Sequence, residues 1–508
     1  MLKQIDKYID KITMYRLTVY VLGALNIIAI FFAFIGNLNY QPSGIIISSI
    51  TLIISCYVIN RVFAYIFDVP TNIESWLITA LILTLIIPPF SGAPENLTFL
   101  LAAAGLAMAS KYLISYKGSH IFNPAAVAVA LTAIGPGQAA SWWIGTSSML
   151  PFVLIGGLLI VRKIHRGQMV TIFIITALVA SSFYSLLDNV SIVTNFSQTI
   201  TTSSLFFLSF IMLTEPLTSP KTKGKRALYA ILVGILFSPQ FQIFSYHTTP
   251  EVALIIGNLF SFLVSPKYKF FPILKDKVRI SPDSLDFVFA APRNFRYLPG
   301  QYMEWTLPHS KTDKRGNRRY FTIASSPTET DLIIGVKFYD KGSSYKEAML
   351  ALTANSQFMA DQLSGDFVMP DDKQEKLVFI AGGIGITPFR SMMKYLTDKN
   401  EKRDVFLLYS ARTKDDLAYV DIFEQARKKV GAKVYYALTG KNSKVKSPYI
   451  INGRINDRVI KNLIPDYKTR TYYISGTESM VKTITEQLAS LGIYSHQIKF
   501  DYFSGYSS

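Results

Sequence analysis

The run Ala381-Gly382-Gly383-Ile384-Gly385-Ile386-Thr387-Pro388-Phe389 follows a short apolar run, Leu377–Ile380, and opens a segment of helical apolar period. Glycines let a backbone approach a pyrophosphate, and a helix N-terminus favours its charge. Gly382, Gly383, Gly385, Thr387 and Pro388 therefore form a candidate nucleotide cradle, although a tight structural turn would use the same glycines. Thr146 and Ser147 precede an apolar segment. Hydroxyls there suit either a phosphate or the N-cap of the following helix. Glu215 stands at the end of another apolar segment, where an ionisable group is a functional candidate. Asn123 precedes Pro124 at a third such end.

The elements that position these residues differ between the two ends of the chain. Residues 1 to 266 are almost continuously apolar, and the basic run Pro266-Lys267-Tyr268-Lys269 leads into an ordinary soluble composition. Apolar stretches at 17–37, 43–60, 75–89, 97–114, 121–140, 148–161, 168–187, 199–213, 227–245 and 250–265 predict about ten membrane spans. Several are short or interrupted by Pro and Gly, as broken helices buried in protein are. Arg61, Lys111, Arg162, Lys163, Arg166, Lys221, Lys223, Lys225 and Arg226 fall in alternate loops. The positive-inside rule then places both termini in the cytoplasm and residues 145–148 outside. No small-residue cleavage site follows the first apolar stretch, so that stretch is expected to stay in the membrane. Ser119-His120-Ile121-Phe122-Asn123-Pro124 and Tyr246-His247-Thr248-Thr249-Pro250 each open a segment, and Pro88-Pro89 and Glu215-Pro216 each end one. This echo predicts an inverted 5+5 repeat with a site at its interface, although proline marks helix ends generally.

Composition excludes several electron carriers. One cysteine, Cys56, rules out an intrachain disulfide and a four-cysteine iron–sulfur cluster. Among the five histidines, His120, His165 and His247 fall at segment ends or in loops, so a transmembrane haem held by two histidines has no ligands. The net charge of +18 suits a membrane surface of anionic lipid without invoking nucleic acid.

The stretches Gly118–Ala125, Gly145-Thr146-Ser147-Ser148-Met149-Leu150 and Thr214-Glu215-Pro216-Leu217-Thr218-Ser219-Pro220 resemble the membrane flavin subunit shared by the Rnf complex (its D subunit) and the sodium-translocating NADH:quinone reductase (its B subunit). The resemblance implies FMN esterified to an outward threonine. Ser147 occupies the threonine position, and Thr146 stands where glutamate is usual. It also implies flavin or ion-pathway roles for the loops of Asn123 and Glu215, with a second membrane flavin as a further expectation.

From about 270 to 370 short alternating runs with turn residues predict an antiparallel barrel; beyond 376, apolar strands separated by helical segments predict a parallel α/β layer. Arg319-Tyr320-Phe321-Thr322, with Gly342-Ser343-Ser344, the glycine loop and Ser475-Gly476-Thr477-Glu478, resembles the ferredoxin–NADP reductase family in motif order. The resemblance implies a FAD-binding barrel over 267–372 and an NAD(P)H-binding domain over 373–508, behind a membrane domain over 1–266. Arg319 would pair with the FAD pyrophosphate, and Tyr320 lies within the motif. Phe321 would stack on the flavin ring, and Thr322 would hydrogen-bond near its N5. Gly342 with Ser343 or Ser344 would contact the flavin phosphates. Ser475 stands near the nicotinamide where many relatives have cysteine, and Phe503 and Tyr506 would shield the flavin or pack in the core. Arg412 could read a 2′-phosphate, but Asp415 and Asp416 follow closely. By analogy with the sodium-pump reductase, NADH is expected over NADPH.

The two resemblances together predict a multi-pass flavoprotein of the bacterial cytoplasmic membrane. It would take hydride from NAD(P)H to FAD and pass electrons through membrane FMN to a quinone or an extracytoplasmic acceptor. The competing expectation is an ion-translocating subunit of a larger complex with further electron-transfer subunits.

Overall fold

The computed structural model describes the chain except residues 1–8, 10–11, 68–72, 117–118, 136, 188–190, 239–240, 244–245, 266–267, 310–311, 314–315, 340–341, 357, 441–446 and 503–508. Phe503 and Tyr506 thus lie outside the described residues. The chain divides into two units, Met1–Lys267 and Tyr268–Ser508.

The first unit is helical, since an apolar chain that satisfies its own backbone donors and acceptors does so most simply as helices. In order these are α1 Met14–Phe34, α2 Pro42–Ile66, α3 Ile73–Ile86, α4 Pro94–Leu113, α5 Pro124–Ile134, α6 Leu150–Lys163, α7 Gly167–Leu187, α8 Ile192–Thr201, α9 Leu205–Phe207, α10 Lys223–Leu236 and α11 Pro250–Val264. α1, α2, α4 and α7 are long and apolar enough to cross a membrane. Their outward faces carry Ile27, Phe34, Ile54 and Val179, all exposed. Such surface is costly in water and neutral against lipid tails. The unit is thus that of a membrane protein.

Several segments depart from the expected spans, each for a local reason. The stretch predicted at 121–140 is helical only over α5, because Pro124 starts the helix and Gly135 ends it. The 199–213 stretch breaks before α9, which continues as a π-helix over Leu208–Met212. At the break Ser203 Oγ bonds Thr199 O at 2.5 Å, and Leu205 N donates to Ser203 Oγ at 3.2 Å. These hydroxyls compete with the helical ladder. The 227–245 stretch becomes α10 followed by a small hairpin, β3 Gln242–Ile243 with β4 Tyr246–His247. A like hairpin, β1 Ser115–Tyr116 with β2 Ser119–His120, precedes α5.

Alternation of buried and exposed residues in the second unit produces sheets. One sheet joins β6 Leu274–Ser281, β7 Ser284–Ala290 and β10 Asp331–Lys337 in the order β10-β7-β6. Another has the order β5-β11-β8-β9, from Lys269–Phe270, Met359–Ser364, Tyr302–Thr306 and Arg318–Thr322. Trp305, Phe287, Phe289 and Phe358 fill the core between them, and helix α12 Ser344–Ala351 follows β10.

Beyond this barrel lies a six-stranded parallel sheet, β15-β14-β13-β12-β16-β17. Its strands are β12 Leu377–Gly382, β13 Val405–Ala411, β14 Lys433–Leu438, β15 Ile450–Asn452, β16 Thr471–Gly476 and β17 Ile498–Tyr502. Helices α13 Thr387–Asp398, α14 Val420–Val430, α15 Asp457–Leu463 and α16 Glu478–Ser490 accompany them. Strand order reverses between β12 and β16, so the crevice at their carboxyl ends is where such sheets bind ligands.

Candidate functional site

The glycine loop occupies that crevice. Gly383 has φ +55 and begins a tight turn over Gly383–Ile386 that hands the chain to α13. A Cβ on Gly385 would meet Ser475 O at 2.5 Å, so glycine is what lets the loop lie against the end of β16. Thr387 and Pro388 form the first turn of α13, with no acidic residue there to oppose an incoming anion. Ser475 is fully buried, and its Oγ has no hydrogen-bond partner among the described residues. Asp501 is its register partner on β17. The Asp501 Oδ2 is likewise sealed and without a partner, and burial pushes this carboxyl up to about 7. Asp501 was not singled out from the sequence. Its signal was an acid in an apolar terminal strand that pairs with β16.

The barrel presents its own orphan. Thr322, at the end of β9, is buried, and its Oγ1 has no partner among the described residues. Three residues back, Arg319 Nη1 donates to Gly316 O at 3.0 Å and to Arg318 O at 2.7 Å. Its Nη2 lies 3.3 Å from Asp313 Oδ1, and its guanidinium packs over the Tyr345 ring. Phe321 is only 9% exposed and packs into the barrel core, leaving little free face for stacking. Tyr320 is exposed and meets Tyr302 edge-on. Ser343 caps α12, its Oγ accepting from Lys346 N. Ser344 Oγ accepts from Asp313 N at 2.9 Å and faces His309 Nε2 at 3.1 Å. Gly342 directly precedes this helix start. Arg319, Asp313, Ser344 and the N-terminus of α12 thus form one polar cluster.

Barrel and nucleotide sheet are fastened by side chains one turn beyond the glycine loop. Arg390, buried on α13, pairs with both carboxylate oxygens of Glu329 and donates to Ala324 O at 3.0 Å. Ser391 Oγ donates to Ser325 O at 2.6 Å. Tyr419 donates its hydroxyl to Asp286 Oδ1 at 2.5 Å, with Gly335 packed so closely that a Cβ would strike both Tyr419 and Thr387. Burial pushes the Asp286 carboxyl up to about 6 despite the tyrosine bond and the nearby Arg390.

In the helical unit the sequence-derived residues Asn123 and Glu215 do come together. Glu215 Oε1 lies 3.0 Å from His120 Nε2, and Oε2 accepts from Asn123 Nδ2 at 2.9 Å and Thr218 Oγ1 at 3.1 Å. Asn123 N donates to Asn258 Oδ1 at 2.8 Å, and Asn258 Nδ2 donates to Tyr229 Oη at 3.1 Å. Asn258 and Tyr229 were missed in the sequence, although an amide inside the apolar α11 is a visible signal. Also missed was buried Glu251, whose carboxylate accepts from Trp142 Nε1 at 2.9 Å.

Thr146 and Ser147 precede α6 but do not cap it. The helix starts at Leu150 with Met149 at the cap and no side-chain bond. Ser147 is exposed. Thr146 turns inward, its Oγ1 sealed and without a partner among the described residues, and it lines a small cavity with Gly145, Leu150, Ser203 and Phe207. A hydroxyl to be esterified must be reachable, and Ser147 meets that requirement better.

Comparison with known proteins agrees with this division. Residues 136–268 match the NQR2, RnfD, RnfE family, and residues 379–486 match the oxidoreductase NAD-binding domain. The chain is therefore a fusion of these two kinds of segment. It is similar to the glycine betaine monooxygenase reductase subunit of Chromohalobacter salexigens, at 26% identity over 41% of this chain and 57% of that protein. A flavohemoprotein of Bacillus subtilis is 27% identical over 47% of this chain and 59% of its own length. The chain thus spans about six-tenths of the length of these curated relatives. Among solved structures, the flavohem-like FAD/NAD binding domain of a nitric oxide dioxygenase from Vibrio cholerae aligns at TM-score 0.40 and 18% identity. It covers 46% of this chain and 98% of its own.

Proposed function

We propose that the chain is a membrane NAD(P)H oxidoreductase that accepts hydride in the second unit and passes electrons into the first. The observation that carries this reading is the crevice at the ends of β12 and β16. There the glycine loop, held against the end of β16 at Gly385, meets the buried Ser475 hydroxyl, which has no partner among the described residues. Gly382, Gly383, Gly385 and the α13 N-terminus with Thr387 and Pro388 hold a dinucleotide pyrophosphate. Ser475 orients the nicotinamide, and Asp501 beside it holds a proton near neutral pH. Arg319, Gly342, Ser343 and Ser344 hold the phosphates of FAD, and Thr322 donates to its ring. Bound FAD supplies the hydride acceptor and the passage from two-electron to one-electron chemistry. Domain limits of 1–266, 267–372 and 373–508 follow from this assignment. In the test, NADH or NADPH added anaerobically to the purified chain bleaches its flavin absorption. A chain that binds FAD yet stays oxidised with both coenzymes refutes the reading.

In the membrane unit FMN is held covalently by Ser147, whose exposure supports that position over Thr146, and a quinone or extracytoplasmic compound accepts the electrons. The matching hairpins before α5 and α11 support an inverted repeat of about ten spans with cytoplasmic termini. Flavin fluorescence that survives denaturation on a gel, and vanishes in Ser147→Ala, tests the attachment. Its persistence in Ser147→Ala and loss in Thr146→Ala would move the ester to Thr146. A second reading, redox-driven Na⁺ or H⁺ translocation in a larger complex, is favoured by the carboxylates of Glu251, which is buried, and Glu215, which is half-buried. Coupled uptake in proteoliposomes containing this chain alone would support it.

A further inference from the structure

Barrel strand β5 follows the apolar helix α11 almost without a spacer. The helix ends at Val264 and the strand begins at Lys269, where it pairs with β11 through Phe270↔Ala360 and Lys269↔Asp361. The chain between Val264 and Lys269 reaches at most about 18 Å.

A second segment of the barrel, residues 291–298 between β7 and β8, is fastened beside this strand. Phe295 packs edge-on against Tyr268 and Phe270, with ring centroids 5.0 Å apart in each pair, and stacks on Tyr297 at 5.2 Å. Ala290 N donates to Ile273 O at 3.1 Å. These rings hold the two segments together, and the side chains between them stand outward. Phe271 is 55% exposed, Ile273 41% and Leu298 56%. Arg293 and Arg296 are exposed as well, and neither makes an ion pair among the described residues. Other cations of the barrel are matched by acids: Lys275 meets Asp331, and Lys337 meets Asp283. Around the two arginines no acid is at hand, since neither 268–275 nor 291–301 contains an aspartate or glutamate.

Exposed aromatic and aliphatic side chains beside unmatched cations are costly in water and suited to a charged lipid surface. There the apolar groups enter the headgroup boundary, and guanidinium groups bond to phosphate oxygens. We propose that this face of the barrel docks on anionic lipid of the membrane that holds the first unit, with Phe271, Ile273 and Leu298 entering the boundary and Arg293 and Arg296 on lipid phosphates. Lipid is favoured over a soluble partner because the face starts within a short reach of an apolar helix and carries charge of one sign. The docking rests on the first unit lying in a membrane and is independent of the oxidoreductase reading.

The test uses the full chain in nanodiscs of phosphatidylcholine with a minority of phosphatidylglycerol, doped with a nitroxide-bearing phosphatidylcholine. Cys56 is buried, so a bimane label is directed to Phe271→Cys, to Leu298→Cys or, as a control, to Tyr494→Cys, a position 69% exposed in the nucleotide-sheet part of the unit. The nitroxide lipid quenches the labels at 271 and 298 at least about threefold more than the label at 494, and Arg293→Gln with Arg296→Gln removes at least about half of that difference. Quenching at 271 and 298 no greater than at 494 overturns the proposal. Shielding of those two labels from aqueous iodide without quenching by lipid assigns the face to a protein partner and overturns it too. Quenching that is undiminished in the arginine variant, or in nanodiscs lacking phosphatidylglycerol, removes the anionic headgroup contact and does the same. An unchanged unfolding temperature in each variant shows that the face and not the fold was altered. Flavin reduction by NAD(P)H, measured alongside, reports separately on the oxidoreductase reading.

Discussion

Two polar sites, the Glu215 network of the first unit and the Ser475 crevice of the second, are completed in opposite ways. In the membrane unit the carboxylate of Glu215 has His120, Asn123 and Thr218 around it, and Asn123 passes the connection to Asn258 and Tyr229. In the reductase unit Thr322, Ser475 and Asp501 bury oxygens that bond to nothing described. An unmade buried hydrogen bond costs about 1–3 kcal/mol, so a fold retains one where something else repays it. The contrast teaches that the Ser475 crevice keeps hydrogen-bonding capacity unspent among the described residues, as the proposed ligand site requires, whereas the Glu215 network is already closed by its own protein partners.

The comparison can be broken in several places. The largest effect is expected at Gly385→Val, where even a Cβ would meet the end of β16. Reduction of the flavin by NAD(P)H should fall more than about a hundredfold, equivalent to roughly 3 kcal/mol, while FAD content stays normal. Loss of FAD as well would show that the loop is structural. Next comes Glu215→Ala, which leaves His120 and Asn123 facing an empty site. A destabilisation of about 3 kcal/mol is expected from the two partners left unsatisfied, read as a lower unfolding temperature in detergent with the reductase rate intact.

Asp286 gives a smaller effect with a definite sign. Its folded value of about 6 lies above the ordinary 3.8 because of burial, so its contribution is fully present below the ordinary value and is lost as pH rises through about 6. That displacement corresponds to roughly 3 kcal/mol at most. Flavin release on heating, measured between pH 4 and 7, should show this slope in the wild type and lose it in Asp286→Asn. Ser475→Ala should have the smallest effect on stability and separates the two treatments most cleanly. Hydride transfer should slow about tenfold, while the unliganded protein becomes about 1 kcal/mol more stable by shedding an orphan hydroxyl. A fall in stability would mean that Ser475 has a structural partner after all.

Much of this organisation is legible in the sequence because it is local. The glycine loop between an apolar run and a helix, the Arg319–Thr322 strand and the change in composition near 266 all declare themselves within a few residues. Helix limits in the membrane unit are less legible, because Ser203 and its neighbouring hydroxyls break a run whose hydropathy is continuous. The network partners Asn258, Tyr229 and Glu251, and Asp501 beside Ser475, depend on contacts between distant segments that no spacing rule encodes. Phe321 shows the opposite limit: its motif position predicts a stacking face, yet barrel packing encloses most of the ring.

Helix α13 has a consequence for how such a chain can diversify. Its first turn meets the glycine loop, and its next turn grips the strand exit at Ala324 and Ser325 through Arg390 and Ser391. On the proposed function, the spacing between electron donor and acceptor would be fixed by a single turn of helix, as a gauge block fixes a gap. On the same reading, substitution at Arg412 would leave that gap as it is.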